Sequence, residues 1–504
     1  MKNCSFLRLL LFSVSLLIVS GSYCMAADGG ISAATEDCIA CHSEVTPGIV
    51  ADWQKSRHSH VTPAQGLQLP AQQRRISVDK LDGPLAQTVV GCAECHTMNT
   101  DKHAVDSFEH NGYTIHTVVS PQDCASCHPV ETTDFADNVM AEAYADLMEN
   151  PLYGIMVNNT NGLAEFNGAT FHHIDADDVS NADSCLSCHG TIVKVVGSKT
   201  RETAMGEMEF PVLSNWPNAG VGRINPDGTK GSCASCHARH QFSIEMARKP
   251  YTCAECHKGP DVPAYKVYSV SVHGNIQKSM DKKWDYTAVP WTVGKDFTAP
   301  TCAACHVSEL VDENGNTLVK RSHRMNDRMP WRIFGLPYAH PHPIDADTSK
   351  IVNKAGLNLP TELSGEPVSK FLIDEAEMGK RQQQMEAVCS GCHSQQWIEG
   401  HFTRLDRSIE TSNFMTLQAT KVLSQAWTEG LAQGIPQGAN PFDEAIELKW
   451  IEQWLFYGNS VRFATAMGGV DYGVFADGRW TQAKNLQEMG DYLKFLRATQ
   501  APKK

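Results

Sequence analysis

Eight times along this chain two cysteines stand three residues apart, with a histidine directly after the second. The copies are Cys38, Cys41 and His42; Cys92, Cys95 and His96; Cys124, Cys127 and His128; and Cys185, Cys188 and His189. They continue with Cys233, Cys236 and His237; Cys253, Cys256 and His257; Cys302, Cys305 and His306; and Cys389, Cys392 and His393. Two thiols at this spacing can add across the vinyl groups of a haem, and the adjacent imidazole can then ligate its iron. Paired cysteines also hold structural zinc. Zinc takes such pairs in twos, however, and does not require a histidine after every second cysteine. Eight complete copies point to eight covalently bound c-type haems.

The remaining thiols fit that reading. Of 18 cysteines, all but Cys4 and Cys24 belong to the motifs. Those two lie in a stretch that reads as an export signal over residues 1–26. Lys2 and Arg8 form its charged region, Leu9 to Val19 its apolar region, and Ala26 ends a small-residue cleavage site. The expected destination is the periplasm or an equivalent extracytoplasmic compartment. No later hydrophobic run reaches the length of a membrane span. The formal charge of -14, without a basic stripe, disfavours nucleic acid and permits electrostatic steering of a cationic redox partner.

The elements that must position the haems follow from spacing. Intervals between motifs are irregular, and from Ala27 onward the chain allots about 60 residues to each haem. The expected architecture is mainly α: a haem-packed body over 27–370 with seven motifs, then a helical region over 371–504 holding the eighth. In the latter, a helix is expected from Asn440 as N-cap with Pro441 at its first position. Its apolar face is Ile446, Trp450 and Trp454. Another helix is expected from about Thr481 to Ala498, with Leu486, Met489, Leu493 and Leu496 on one side. Residues 150–183, rich in Asn, Gly and Asp, read as a long irregular connection.

Thirteen of the 21 histidines lie outside the motifs, enough to close every haem with a second imidazole. At this point the chain resembles the octahaem hydroxylamine oxidoreductase family, which includes hydrazine dehydrogenases and reductive members known from anaerobic ammonium-oxidising bacteria. The likeness is carried by GSCASCHARHQFSIEMARKPYTCAECHKGPD (231–261), VYSVSVHGN (267–275), APTCAACH (299–306), Arg321-Ser322-His323, and DCIACHSEVTPGIVADWQKSRHSH (37–60). It implies that His58, His110, His240, His273 and His323 are distal ligands. His173 and His342 complete the set, chosen from the neighbouring pairs His172/His173 and His340/His342; His103 and His116 remain alternatives to His110.

The resemblance also implies that the fourth motif carries the catalytic haem, with His189 as proximal ligand and an open distal side. Asp261 is the implied proton relay, although Val262 stands where the family places a histidine beside it. The tyrosine expected after the seventh motif falls on Phe334. The stretch between His189 and Cys233 is longer than the family pattern and is expected to reshape the approach to the fourth haem. Oxidative members bond a C-terminal tyrosine to a neighbouring subunit's haem. That position falls on Phe475, or on Tyr472 in a rival alignment. With Phe475 the cross-link is absent.

The reading that follows is a reductase taking nitrite or nitric oxide to hydroxylamine or ammonium at an open haem fed by seven bis-histidine haems. A small c-type cytochrome partner and a homotrimer, or a multiple of trimers, are implied by the family. The alternatives are a hydroxylamine or hydrazine dehydrogenase, and an electron conduit with every iron six-coordinate. Intact mass spectrometry of the exported protein is expected to exceed the mature polypeptide by eight haems. Seven or fewer in fully matured protein would refute the count.

Overall fold

The computed structural model describes residues 30–203 and 205–500; the expected export signal lies outside them. The protein is mainly α, and its body is built from short pieces. The first helix, α1 (Ala33–Val45), contains the first motif and is capped by Ser32, whose side chain accepts from the Thr35 N–H. A hairpin follows, β1 (Ser107–His110) with β2 (Tyr113–His116), and then a second, β3 (Leu163–Phe166) with β4 (Phe171–Ile174). The fourth motif is itself a helical turn, α2 (Cys185–His189). Beyond it a longer antiparallel hairpin, β5 (Lys194–Thr203) with β6 (Gly206–Ser214), stands exposed along most of its length. Among the described residues the sheets have only two or three strands each, and the three-stranded one gives Trp291, Leu310 and Val319 to a small apolar cluster with Trp284, Tyr286 and Phe297.

The C-terminal half supplies its own core. Helix α3 (Glu375–Ser390) leads into the eighth motif, and α4 (Gln395–Thr428) follows as the longest helix described. Its 34 residues span about 51 Å at the standard rise. Ile398, Phe402, Leu405 and Ile409 repeat at helical spacing and are buried on one face. Helix α5 (Ala445–Ile451), a π-helical stretch (Glu452–Gly458) and α6 (Asn459–Met467) form one nearly continuous rod. Helix α7 (Arg479–Gln500) packs Met489, Leu493 and Leu496 against α4 and that rod.

Ile446, Trp450 and Trp454 share the buried face expected of them, and the two indoles meet edge to face at 5.7 Å. The helix around them begins later than expected, at Ala445. Asn440 instead closes a local turn, its side chain accepting from the Phe442 N–H at 3.0 Å. Residues 150–183 also hold more structure than their composition implies. Asn150 accepts from the backbone N–H groups of Leu152 and Tyr153, and with Pro151 it starts an eleven-residue helix, Pro151–Asn161.

One buried carboxyl ties α4 to α5. Glu447 accepts from the Trp427 indole at 2.7 Å and from the Glu444 backbone N–H at 3.1 Å. Burial pushes its carboxyl up to about 7. Because the raised value favours the protonated folded state, this contribution to stability is fully present below the ordinary carboxylate range. It is lost as pH rises through 7. Glu447→Gln is therefore expected to flatten the decline in melting temperature between about pH 5 and 8. Parallel slopes in thermal unfolding of both proteins would refute the assignment.

Candidate active site

A Cys-X-X-Cys-His segment wound as a helical turn places residues i, i+3 and i+4 on one face. The turns Cys92–His96, Cys185–His189 and Cys302–His306 are helical throughout, and the first motif lies wholly inside α1. Two sulfurs and one imidazole then point into the same space. Motifs two to eight share a continuous cavity of about 2520 Å³, with Cys124, Cys188, Cys256, Cys305 and Cys392 among its walls, and the first motif lies outside it. That is well beyond the roughly 300–1,000 Å³ of an ordinary small-ligand pocket.

Several motif imidazoles are held through Nδ1. His42 pairs with Thr46 Oγ1 at 2.8 Å, His96 donates to the His116 carbonyl at 2.8 Å, and His189 donates to the Ala143 carbonyl at 3.0 Å. Such bonds fix the tautomer and leave Nε2 for a metal. Burial pushes His96, His237 and His306 down to about 4, so they are neutral and able to ligate at physiological pH.

Four motif rings face a second imidazole at nearly one separation. The centroid distances are 6.2 Å for His42–His110, 6.3 Å for His128–His58, 6.4 Å for His237–His323 and 6.1 Å for His393–His273. Two metal–nitrogen bonds of about 2 Å, plus a ring radius at each end, give about 6 Å. This spacing fits covalently held haems with an iron between each pair, and the cavity gives three of the four pairs room for the ring.

His116 also lies 6.1 Å from His96, but its carbonyl bonds the motif ring from the Nδ1 side, which makes it an orienting partner. Its own ring stacks on His103 at 3.5 Å. His240 lies close enough to His96 for their charges to interact. It does so from a segment in which Ala238, His240 and Phe242 all have positive φ, a conformation that persists only where surroundings enforce it. His342 is fully buried on the cavity wall and His340 is buried beside it. His173 stands exposed on β4, opposite Ala164, with no motif imidazole against it.

The thiols show which sites adjoin. Cys38 reaches Cys92, Cys124 reaches Cys233, Cys188 reaches Cys256, and Cys253 reaches Cys302. Cys95 lies near Cys127, Cys236 near Cys253, and Cys305 near Cys389. By these contacts the motifs run one, two, three, five, six, seven, eight, with the fourth branching from the sixth.

At the fourth motif no second imidazole faces His189 at the separation of the four pairs among the described residues. His257 and His306 also lack such a partner, and Phe334 lies 6.2 Å from His257. What distinguishes His189 is its charged company: Asp261 and Arg332 both act on it, and Asp261 acts on His257 as well. The Asp261 carbonyl is held by the Asn459 amide at 2.6 Å, and the guanidinium of Arg462 donates to Asn459 at 3.0 Å. Arg332 carries a buried Nη1 with no protein partner. Asn459 and Arg332 had no sequence signal, since neither belongs to a motif.

The long stretch after His189 divides its roles. Its return segment braces the fourth motif, with Asn218 donating to the Leu186 carbonyl at 3.0 Å and the Val221 N–H to the Cys188 carbonyl. Its hairpin arm instead reaches the His110 region, where Phe210 lies 5.9 Å from both Phe108 and His110. Tyr472 and Phe475 share one π-helical turn. Tyr472 is half-buried with its hydroxyl 3.3 Å from Asp477, whereas Phe475 is 68% exposed.

Residues 224–332 match the family described as seven times multi-haem cytochrome CxxCH. A solved structure titled hypothetical multiheme protein is 40% identical, covers 94% of this chain and 97% of its own, and superposes with a TM-score of 0.87. A probable nitrite reductase-hydroxylamine oxidoreductase fusion protein of Kuenenia stuttgartiensis is 23% identical over 81% of this chain. The chain spans 39% of that relative's length. The reducing HAO-like protein complex of the same organism shares the fold, with a TM-score of 0.62 at 18% identity over 92% of this chain and 85% of the other.

A Cβ at Gly259 would lie 2.2 Å from Asp261 Oδ1, so the absent side chain makes room for the carboxylate. Gly259→Ala is expected to rotate Asp261 away while changing stability by less than about 1 kcal/mol. A crystal structure of the variant with Asp261 in place would refute this.

Proposed function

The chain belongs to the family of multihaem cytochromes, and from that premise we propose that it is an octahaem reductase. It takes nitrite or nitric oxide to hydroxylamine or ammonium at the haem of the fourth motif. The observation that carries the reading is the setting of His189. A carboxylate and a guanidinium, Asp261 and Arg332, are close enough to act on its charge, and its site ends a branch reached through the sixth motif.

Seven further haems would feed that branch, six of them closed by a second histidine. His110, His58, His323 and His273 oppose their motif rings directly, and His240 closes the second site. His342 serves one of the remaining sites. A haem held by Cys185, Cys188 and His189 would supply the coordination site and the electrons. The protein supplies the rest. Arg332 offers positive charge and a free donor to an anion such as nitrite. Asp261, fixed through its carbonyl by Asn459, hands protons to the substrate as electrons arrive. The carboxyl is regenerated from solvent, since Asp261 is not buried.

Phe475 supports the reductive direction. Its ring has no phenol oxygen, and Tyr472 turns inward to Asp477. Neither geometry favours a bond to a neighbouring subunit's haem, and an undistorted ring suits electron donation to the substrate. The names of the Kuenenia relatives are consistent with this chemistry.

With reduced mediator and nitrite, turnover is expected to exceed hydroxylamine oxidation at matched driving force. Asp261→Asn is expected to lower kcat by about 10²-fold or more with KM nearly unchanged, because an amide cannot deliver a proton. Faster hydroxylamine oxidation, or an unchanged kcat in the variant, would overturn the reading.

A further inference from the structure

The hairpin β5–β6 does more than extend into solvent. Its last inward aromatic, Phe210, sits 5.9 Å from the His110 ring and 5.9 Å from Phe108 on β1. On the outer side, the Arg201 guanidinium lies 5.2 Å from the centroid of Phe210, so an aromatic–cation stack closes over the histidine. The Nδ1 of His110 is buried and has no hydrogen-bond partner among the described residues. The opposing ring is treated differently, since His42 Nδ1 is bonded to Thr46 Oγ1 at 2.8 Å. This centre also lies at an end of the motif sequence, and Cys41 and Cys392 are the exposed cysteines among those described. The hairpin lies against the His110 side of the first of these two ends, while Cys41 on its other side stays exposed.

We propose that the β5–β6 hairpin is a fixed cover over the His42–His110 redox centre, with Phe210 as the positioning residue that keeps His110 dry and its Nδ1 without an acceptor. The proposal rests on reading the first motif as a bis-histidine haem. Two physical effects then act in one direction. A ferric haem carries one more positive charge than a ferrous one, so excluding water disfavours the oxidised state. An Nδ1–H without an acceptor also leaves the imidazole a weaker donor to ferric iron. Both raise the reduction potential of the outermost haem. The first end of the relay thus becomes the favourable place to accept one electron from a small cytochrome partner, while the hairpin limits direct access by water.

The test uses purified holoprotein in four forms: wild type, Phe210→Gln, Phe210→Leu and His110→Met. Each is titrated potentiometrically with electron paramagnetic resonance detection. The signal displaced in His110→Met identifies the covered centre, because a thioether replaces one imidazole there. Phe210→Gln, which offers an acceptor and admits water, is expected to shift that centre's potential downward and move its signal alone. Phe210→Leu, still apolar, is expected to keep the wild-type potential. If His110→Met displaces a signal but Phe210→Gln leaves its potential unchanged, the cover is overturned. An equal fall in Phe210→Leu would overturn it too. If His110→Met displaces no signal, the bis-histidine reading of the first motif fails instead.

Discussion

Everything in this protein depends on a turn of helix that presents two sulfurs and an imidazole to one side. Such a turn cannot fill the space it faces with its own side chains. The motif recurs eight times in one chain, and seven of the copies line one continuous cavity beside small apolar clusters. The body is made of short helices, small sheets and loops, several of which bond directly to the motif turns. The Nδ1 contacts of His42, His96 and His189 show the principle on a small scale. Each anchors a ring by a neighbour's hydroxyl or carbonyl and leaves the other nitrogen facing the cavity.

The C-terminal helices have a different physical basis. Trp427, Trp450, Trp454, Met489 and Leu493 bury one another in an ordinary apolar core. The indole nitrogens of Trp427 and Trp450 are satisfied by Glu447 and Thr420. This rigid half also reaches into the redox half: Asn459 on α6 holds the backbone of Asp261. A residue from the helical core thereby holds the backbone from which the Asp261 side chain projects. Rigidity in one half is what makes a single carboxylate placeable in the other.

The electrostatics divide along the same line. Buried histidines of the relay are neutral because burial disfavours their charge. His103 is an exception, held between Asp106 and Asp123 and pushed up to about 9 by those bonds despite burial opposing it. Its stacking on His116 braces the carbonyl that orients His96. Charge is thus retained where it supports a motif from behind and removed where a ring must face a metal.

The sequence by itself determined the chemistry of attachment, the mainly α class and the apolar faces of the C-terminal helices, because all three are written in short-range spacing. The Cys-X-X-Cys-His turn and the Ile446, Trp450, Trp454 stripe need no distant partner to be recognised. Tertiary structure alone decided what opposes each ring. His58 faces His128 from 70 residues upstream, and His173 stands exposed although its residue type suited a ligand. It also decided that Asn459, about 200 residues from Asp261, would hold it. The hairpin arm after the fourth motif likewise covers His110, where its position in the chain pointed to His189. Spacing along a chain sets which atoms share a local face; which faces meet is set by how the chain closes around the cavity.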